Sequence, residues 1–99
     1  MSAYAIFHYD ITNPEGYGAY AAAAGPSVYQ YGGEVLAADP NASPLEGDKP
    51  GNVVVLKFPS VEAAQKWYES PEYQAALPDR LNNISNGIAF IATEFTPPS

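Results

Sequence analysis

Hydrophobic and polar positions alternate from residue 3 to residue 11. Tyr4, Ile6, His8 and Asp10 fall on one side, Ala5, Phe7, Tyr9 and Ile11 on the other. A period of two in a run rich in strand formers predicts a β-strand. Asn13-Pro14-Glu15 then carries a helix start: a capping side chain, a proline at the first helical position and an acid near the positive end of the dipole. Tyr17, Tyr20, Ala24, Val28 and Tyr31 recur at helical spacing and form the expected buried stripe. Gly25-Pro26 lies inside that stripe and predicts a break or kink, and Gly32-Gly33 predicts a left-handed C-terminal cap.

A second strand is expected over residues 34–38, followed by a polar loop over 39–52 with three prolines and two glycines. Loops of that length are often functional or mobile. Residues 53–58 make the strongest strand signal. Pro59 ends it, Ser60 caps the next helix, and Ala63, Ala64, Trp67 and Tyr68 line the inner side of that helix. Ser70-Pro71-Glu72 restarts a helix, so Trp67-Tyr68 and Tyr73 meet at an aromatic corner. Pro78 is expected to interrupt this helix after Leu77, with Arg80, Leu81 and Ile84 on a further turn. Asn86-Gly87 reads as a turn and residues 88–94 as the last strand.

The order β-α-β-β-α-β, with two helical crossovers and a central hairpin, predicts an α+β fold of ferredoxin-like type: a four-stranded antiparallel sheet with the helices on one face. One domain over residues 1–96 and a flexible tail over 97–99 are expected. Tyr4, Ile6 and His8, with Val53 and Val55, then lie on the face the helices leave open. Apolar area of that kind marks an interaction surface. A second copy of the same sheet about a two-fold axis is its simplest cover, closing an α/β barrel.

Composition narrows the partners. Eleven acids against four bases give a formal charge of −7, which repels nucleic-acid backbones and anionic lipid surfaces. Eight tyrosines in 99 residues, each with an apolar ring and a polar tip, suit pockets and subunit contacts. The absence of cysteine excludes disulfides, thiol catalysis and cysteine metal sites. Neither a signal-peptide pattern nor an apolar run of membrane-spanning length is present, so a cytoplasmic protein without a membrane partner is expected.

Taken in order, Tyr4-x-Ile6-x-His8 with Asn13-Pro14-Glu15, Tyr31-Gly32-Gly33, Leu45-Glu46-Gly47-Asp48, Phe58-Pro59-Ser60 and Ala63-x-x-x-Trp67-Tyr68-x-Ser70-Pro71-Glu72-Tyr73 cover nearly the whole chain. In these elements it resembles the domain of unknown function 1330 family of the dimeric α/β-barrel superfamily. The resemblance implies a homodimer whose sheets face each other, with a cavity between sheet and helices in each subunit. Relatives in that superfamily include cofactor-independent monooxygenases, muconolactone-type isomerases and haem proteins resembling chlorite dismutase, so it leaves the reaction open. Two positions depart from the pattern. Glu34 and Ala38 stand where such sequences often carry basic residues, so an anion held through those positions is not expected here.

His8, the single histidine, is the candidate general base on the open sheet face. Asp10 shares its face but lies about 7 Å along the strand. Glu46 on the loop or Arg80 is therefore the alternative partner, and an interface histidine bonded to a tyrosine or the backbone is the bland reading. Tyr4, Asp10, Tyr17, Tyr20, Trp67, Tyr68 and Arg80 are the candidate binding residues, the aromatic ones walling an apolar pocket or simply forming core. One histidine and scattered carboxylates make no metal-ligand spacing, and no phosphate loop or dinucleotide fingerprint is present, so neither metal nor cofactor is expected. Two functions follow. One is a homodimer that binds a small, mainly apolar organic molecule and acts on it without a cofactor, as an isomerase, lyase or monooxygenase would. The other is a non-catalytic dimeric module for assembly or regulation.

Overall fold

The computed structural model describes residues 1–98. Seven elements follow in order: β1 (Ala3–Ile11), α1 (Pro14–Gln30), β2 (Glu34–Asp39), β3 (Asn52–Phe58), α2 (Val61–Tyr68), α3 (Pro71–Leu81) and β4 (Ile84–Thr93). The strands form one four-stranded sheet in the order β2-β3-β1-β4, and every neighbouring pair is antiparallel. This is the ferredoxin-like arrangement expected from the element order. With one sheet and one helix layer the molecule is a slab, only 17 Å across its shortest axis. Residues 97–98 carry no regular structure, and the last residue of the expected tail, Ser99, lies outside the described residues.

Alternation along β1 decides which side is core. Ala3, Ala5, Phe7 and Tyr9 are buried, whereas Tyr4, Ile6 and His8 are half-buried and Asp10 is exposed. The buried set packs against Tyr20, Ala24 and Val28 of α1, Ala64 and Trp67 of α2, Tyr73 and Ala76 of α3, and Leu56 and Phe58 of β3. Trp67, Tyr9, Tyr73 and Phe58 are the largest side chains sealed in this layer.

Helix ends follow the sequence signals with one exception. Ser60 and Ser70 accept from the backbone N–H of Ala63 and Tyr73, each satisfying an otherwise orphaned donor. The C-terminus of α1 closes as a Schellman motif. Gly33 N–H donates to Val28 C=O at 2.9 Å and Gly32 N–H to Tyr29 C=O at 3.2 Å, with Gly32 at φ +82°. Gly33 also has no room for a side chain, because a Cβ there would stand 2.6 Å from the Phe58 ring. Asn13 is the exception: it occupies the N-cap position in extended backbone, but its side chain makes no capping bond.

Three expected boundaries are overturned. Helix α1 runs through Gly25-Pro26, and α3 runs through Pro78 to Leu81. Each proline lacks an N–H for the carbonyl four residues earlier, Ala22 and Gln74. Both of those residues and both prolines are exposed, so water can take the missing bond. The third is Asn86-Gly87, which is a bulge inside β4 rather than a turn before it. His8 pairs with Ile88 and Asp10 with Ser85, which leaves one extra residue on β4, and Asn86 sits at φ +55°. The strand therefore begins at Ile84.

The outer face of the sheet is uncovered. Cross-strand pairing sets Ile6 between Val55 and Phe90, and His8 between Val53 and Ile88. Ile88 is 54% and Phe90 47% exposed, and Leu36 at the β2 bulge is 49% exposed.

Candidate functional site

Beneath the helices, tyrosines form a chain with their polar ends turned towards one another. Tyr9 and Tyr17 share a hydrogen bond of 2.6 Å, to which Asn52 Nδ2 adds a donor at 3.2 Å from the Tyr17 hydroxyl. Tyr20 and Tyr73 share another at 3.0 Å. Their rings follow in contact, Tyr17 to Tyr20 at 5.4 Å and Tyr20 to Tyr73 at 6.0 Å, and Trp67 packs on Tyr73 at 4.3 Å with the ring planes tilted by 46°. Burial raises the Tyr9 and Tyr20 phenols well above the ordinary value of 10 and raises Tyr73 as well, chiefly by removing water from the charged form. At neutral pH they are hydroxyl groups. They can donate hydrogen bonds, and they cannot serve as tyrosinate bases.

Trp67 is fully used within this layer. Its indole N–H donates to Ser27 Oγ at 2.9 Å, and Ser27 in turn donates to the Ala24 carbonyl at 2.6 Å. Arg80 is not. It comes from the last turn of α3, is 4% exposed, and its Nε has no hydrogen-bond partner among the described residues. Its guanidinium carbon lies 5.2 Å from the centroid of Phe7, 5.5 Å from Tyr9 and 6.0 Å from Tyr20. Burial alone would weaken its hold on the proton. Its interactions with Tyr73, Tyr20 and Tyr9 reverse that and raise its pKa, with no carboxylate taking part.

Placing one ion in a protein interior costs several kcal/mol even after relaxation. Each aromatic contact returns about 0.5–2 kcal/mol. The cage therefore offsets much of that cost, while the unpaired Nε–H adds about 1–3 kcal/mol against the fold.

Space adjoins this group. An apolar cleft of about 340 Å³ lies between β1, β4 and α2, lined by Ala5, Phe7, Ala64, Trp67, Tyr68, Ala89 and Ile91, with Phe90 at its margin. Next to it, a second space of about 360 Å³ is lined by Arg80, Leu81, Ile84 and the bulged start of β4 as far as Ala89. Ala89 borders both, and Phe7 both walls the first and carries the guanidinium on its ring.

The residues singled out from the sequence divide between the two faces of the sheet. Tyr17, Tyr20, Trp67, Tyr68 and Arg80 gather under the helices. Tyr4, His8 and Asp10 lie on the outer face, so Arg80 is no partner for His8. His8 Nε2 accepts the Gly51 N–H at 3.3 Å, which uses the lone pair a general base would need and ties the 40–51 loop to the sheet. Asp10 accepts from Asn86 Nδ2 at 3.0 Å, and Glu46 is exposed on the loop. The expected pairing of His8 with Asp10, Glu46 or Arg80 does not form. Sequence reasoning passed over Phe7, Tyr9 and Asn52. Alternation along β1 had already put the first two on the helix side, whereas a buried asparagine at the start of a strand leaves no pattern. Among the described residues no three His, Asp or Glu side chains gather to hold a metal ion, and no helix is long and apolar enough to cross a membrane.

Solved structures share the fold. A protein of unknown function from Rhodopseudomonas palustris superposes with a TM-score of 0.79 at 20% identity, over 97% of this chain and 84% of its own. SnoaB, a cofactor-independent oxygenase from Streptomyces nogalater, matches with 0.69 at 9% identity over 97% and 95%. A dimeric ferredoxin-like protein of unknown function from Thermobifida fusca matches with 0.67 at 15% over 95% and 92%. No curated protein matches the sequence. The family model does, over residues 2–93, and the chain belongs to the Domain of unknown function (DUF1330) family.

Proposed function

We propose that this protein is a homodimer, joined through the outer face of its sheet, that binds a small, mainly apolar organic molecule in the cleft under its helices. The observation that carries the binding reading is the cleft of about 340 Å³, within the size range of small-molecule sites and walled almost wholly by apolar side chains. The exposed Ile88 and Phe90, which flank His8 and Ile6 on the outer face, support the dimer, since apolar area of this kind calls for a cover. Dimeric relatives of the same fold add to it.

Chemistry in such a cleft would rest on binding and polarisation. The phenols are protonated and Arg80 is cationic, so the groups near the cleft favour negative charge developing on a bound carbonyl or phenol. That is the contribution a cofactor-independent isomerase, lyase or monooxygenase would draw from its protein, and the fold of SnoaB gives the last of these a precedent. A second reading, a non-catalytic dimeric module, is favoured by one observation: the tyrosine hydroxyls pair with each other rather than turning into the cleft.

Trp67, the only tryptophan, lines the cleft and reports on it. Titration with benzamide or cyclohexanecarboxamide should shift its emission saturably. The substitution Ala89→Phe, at an exposed strand position bordering the cleft, should abolish the response. No saturable change in the unaltered protein would favour the non-catalytic module. Sedimentation at micromolar concentration tests the dimer separately, and a monomer there would remove it.

A further inference from the structure

We infer that the ligand of this cleft carries a carboxylate, and that Arg80 is the residue that receives it. The inference rests on the cleft reading above and extends it to the chemical class of the ligand. Eleven acids and four bases make up the charge of this chain, so a buried base has many potential acidic partners. Arg80 has taken none of them. Its partners are the faces of Phe7, Tyr9 and Tyr20 and the Tyr73 side chain, which hold the guanidinium in place and leave its Nε–H free. Its Nε–H is sealed from water and unpartnered among the described residues. A side chain so placed is complete only when something anionic arrives.

The surroundings specify the anion. Arg80 lines the space between α3 and the start of β4, and that space meets the apolar cleft at Ala89. One cation at the end of an apolar space matches a ligand with one negative group and an apolar body. A guanidinium is a planar fork whose two parallel N–H groups match the two oxygens of a carboxylate. A phosphate monoester, with more charge and three oxygens to satisfy, would call for further cations, and no other arginine or lysine lines either space. The neutral tyrosine hydroxyls complete the environment, because they neither repel an anion nor compete for the guanidinium as ions.

The test compares matched pairs on the full chain. Benzoate and cyclohexanecarboxylate are titrated against benzamide and cyclohexanecarboxamide, with phenyl phosphate as a further arm. Trp67 emission and the NMR resonance of the Arg80 Nε–H are read together. Each acid should bind at least tenfold more tightly than its amide, and the Nε–H resonance should move with the acids and not with the amides. In Arg80→Met the acid preference should vanish while amide binding persists. Should that variant fail to fold, the Nε–H resonance of the unaltered protein decides. Amides that bind as well as acids would overturn the carboxylate and leave the cleft standing. Acids that bind without moving the Nε–H resonance would place the anion elsewhere and overturn the role of Arg80. Phenyl phosphate binding more tightly than benzoate would overturn the class. If neither acids nor amides bind, both the cleft and its ligand fall.

Discussion

The two faces of one sheet have opposite characters, and strand β1 supplies both. Its odd-numbered residues, Ala3, Ala5, Phe7 and Tyr9, are sealed under the helices. Its even-numbered residues up to His8 lie on a face whose apolar neighbours Ile88 and Phe90 are about half exposed. Inside, polar atoms pair with one another and a single cation is left over. Outside, apolar side chains are left about half exposed. An unsatisfied polar group in a core and unsatisfied apolar area on a surface are two forms of one energetic problem. In the function proposed above, a small ligand answers the first and another copy the second.

The contrast breaks most severely at Trp67. Replacement by alanine removes the ring that packs on Phe7, Phe58, Tyr68 and Tyr73 and leaves Ser27 Oγ without its donor. The cost should be about 3–5 kcal/mol, a large part of the stability of a domain this size. Urea unfolding would check it, and a loss below about 1 kcal/mol would mean the inner face is not the core described. The double substitution Ile88→Asp, Phe90→Asp on the other face should behave in the opposite way. Neither side chain belongs to the buried core, so circular dichroism should be unchanged while sedimentation reports dissociation. A dimer that survives would locate the association elsewhere.

Much of this arrangement is legible in the residues. Alternation along β1, the serine caps at Ser60 and Ser70, and the Gly32-Gly33 close of α1 are local signals with local causes, and they hold. The failures have a common physical origin. Pro26 and Pro78 are carried inside helices at positions where water can reach the freed carbonyl, and exposure is a tertiary property. Asn86-Gly87 favours positive φ, which a turn and a bulge use equally, so the residues alone do not choose between them. The candidate site suffered most. Tyr17, Tyr20, Trp67, Tyr68 and Arg80 gather under the helices, whereas His8, the single histidine, lies on the other face. Which side of a sheet is roofed by helices depends on contacts that cross the whole chain.

A smaller effect sharpens the inner face through pH. The Tyr9, Tyr20 and Tyr73 phenols are raised by burial, so the folded state keeps protons that the unfolded chain gives up near pH 10. The unfolded state then binds fewer protons than the native one, and stability falls as pH rises from there. Below that pH the contribution is present in full. Chemical denaturation between pH 8 and pH 11 should therefore show a loss confined to the alkaline end, and Tyr20→Phe should shrink it. A flat profile over the same range would mean these hydroxyls are not held away from water.

The smallest effect is expected at the histidine. His8→Ala removes one acceptor, the Nε2 that takes the Gly51 N–H at 3.3 Å. A single half-buried bond of that length contributes at most about 0.5–1.5 kcal/mol. Its consequence should be local: faster hydrogen exchange at Gly51 and its neighbours, because the 40–51 loop loses a tie to the sheet. The response of Trp67 to benzamide should not change, since the cleft lies across the sheet and its walls come from Phe7, Trp67 and Ala89. That constancy is the sharper half of the experiment. If benzamide binding disappeared with the imidazole while the fold and the dimer persisted, the site would belong on the outer face between subunits. Arg80 would then be a buried charge that the aromatic cage alone must hold.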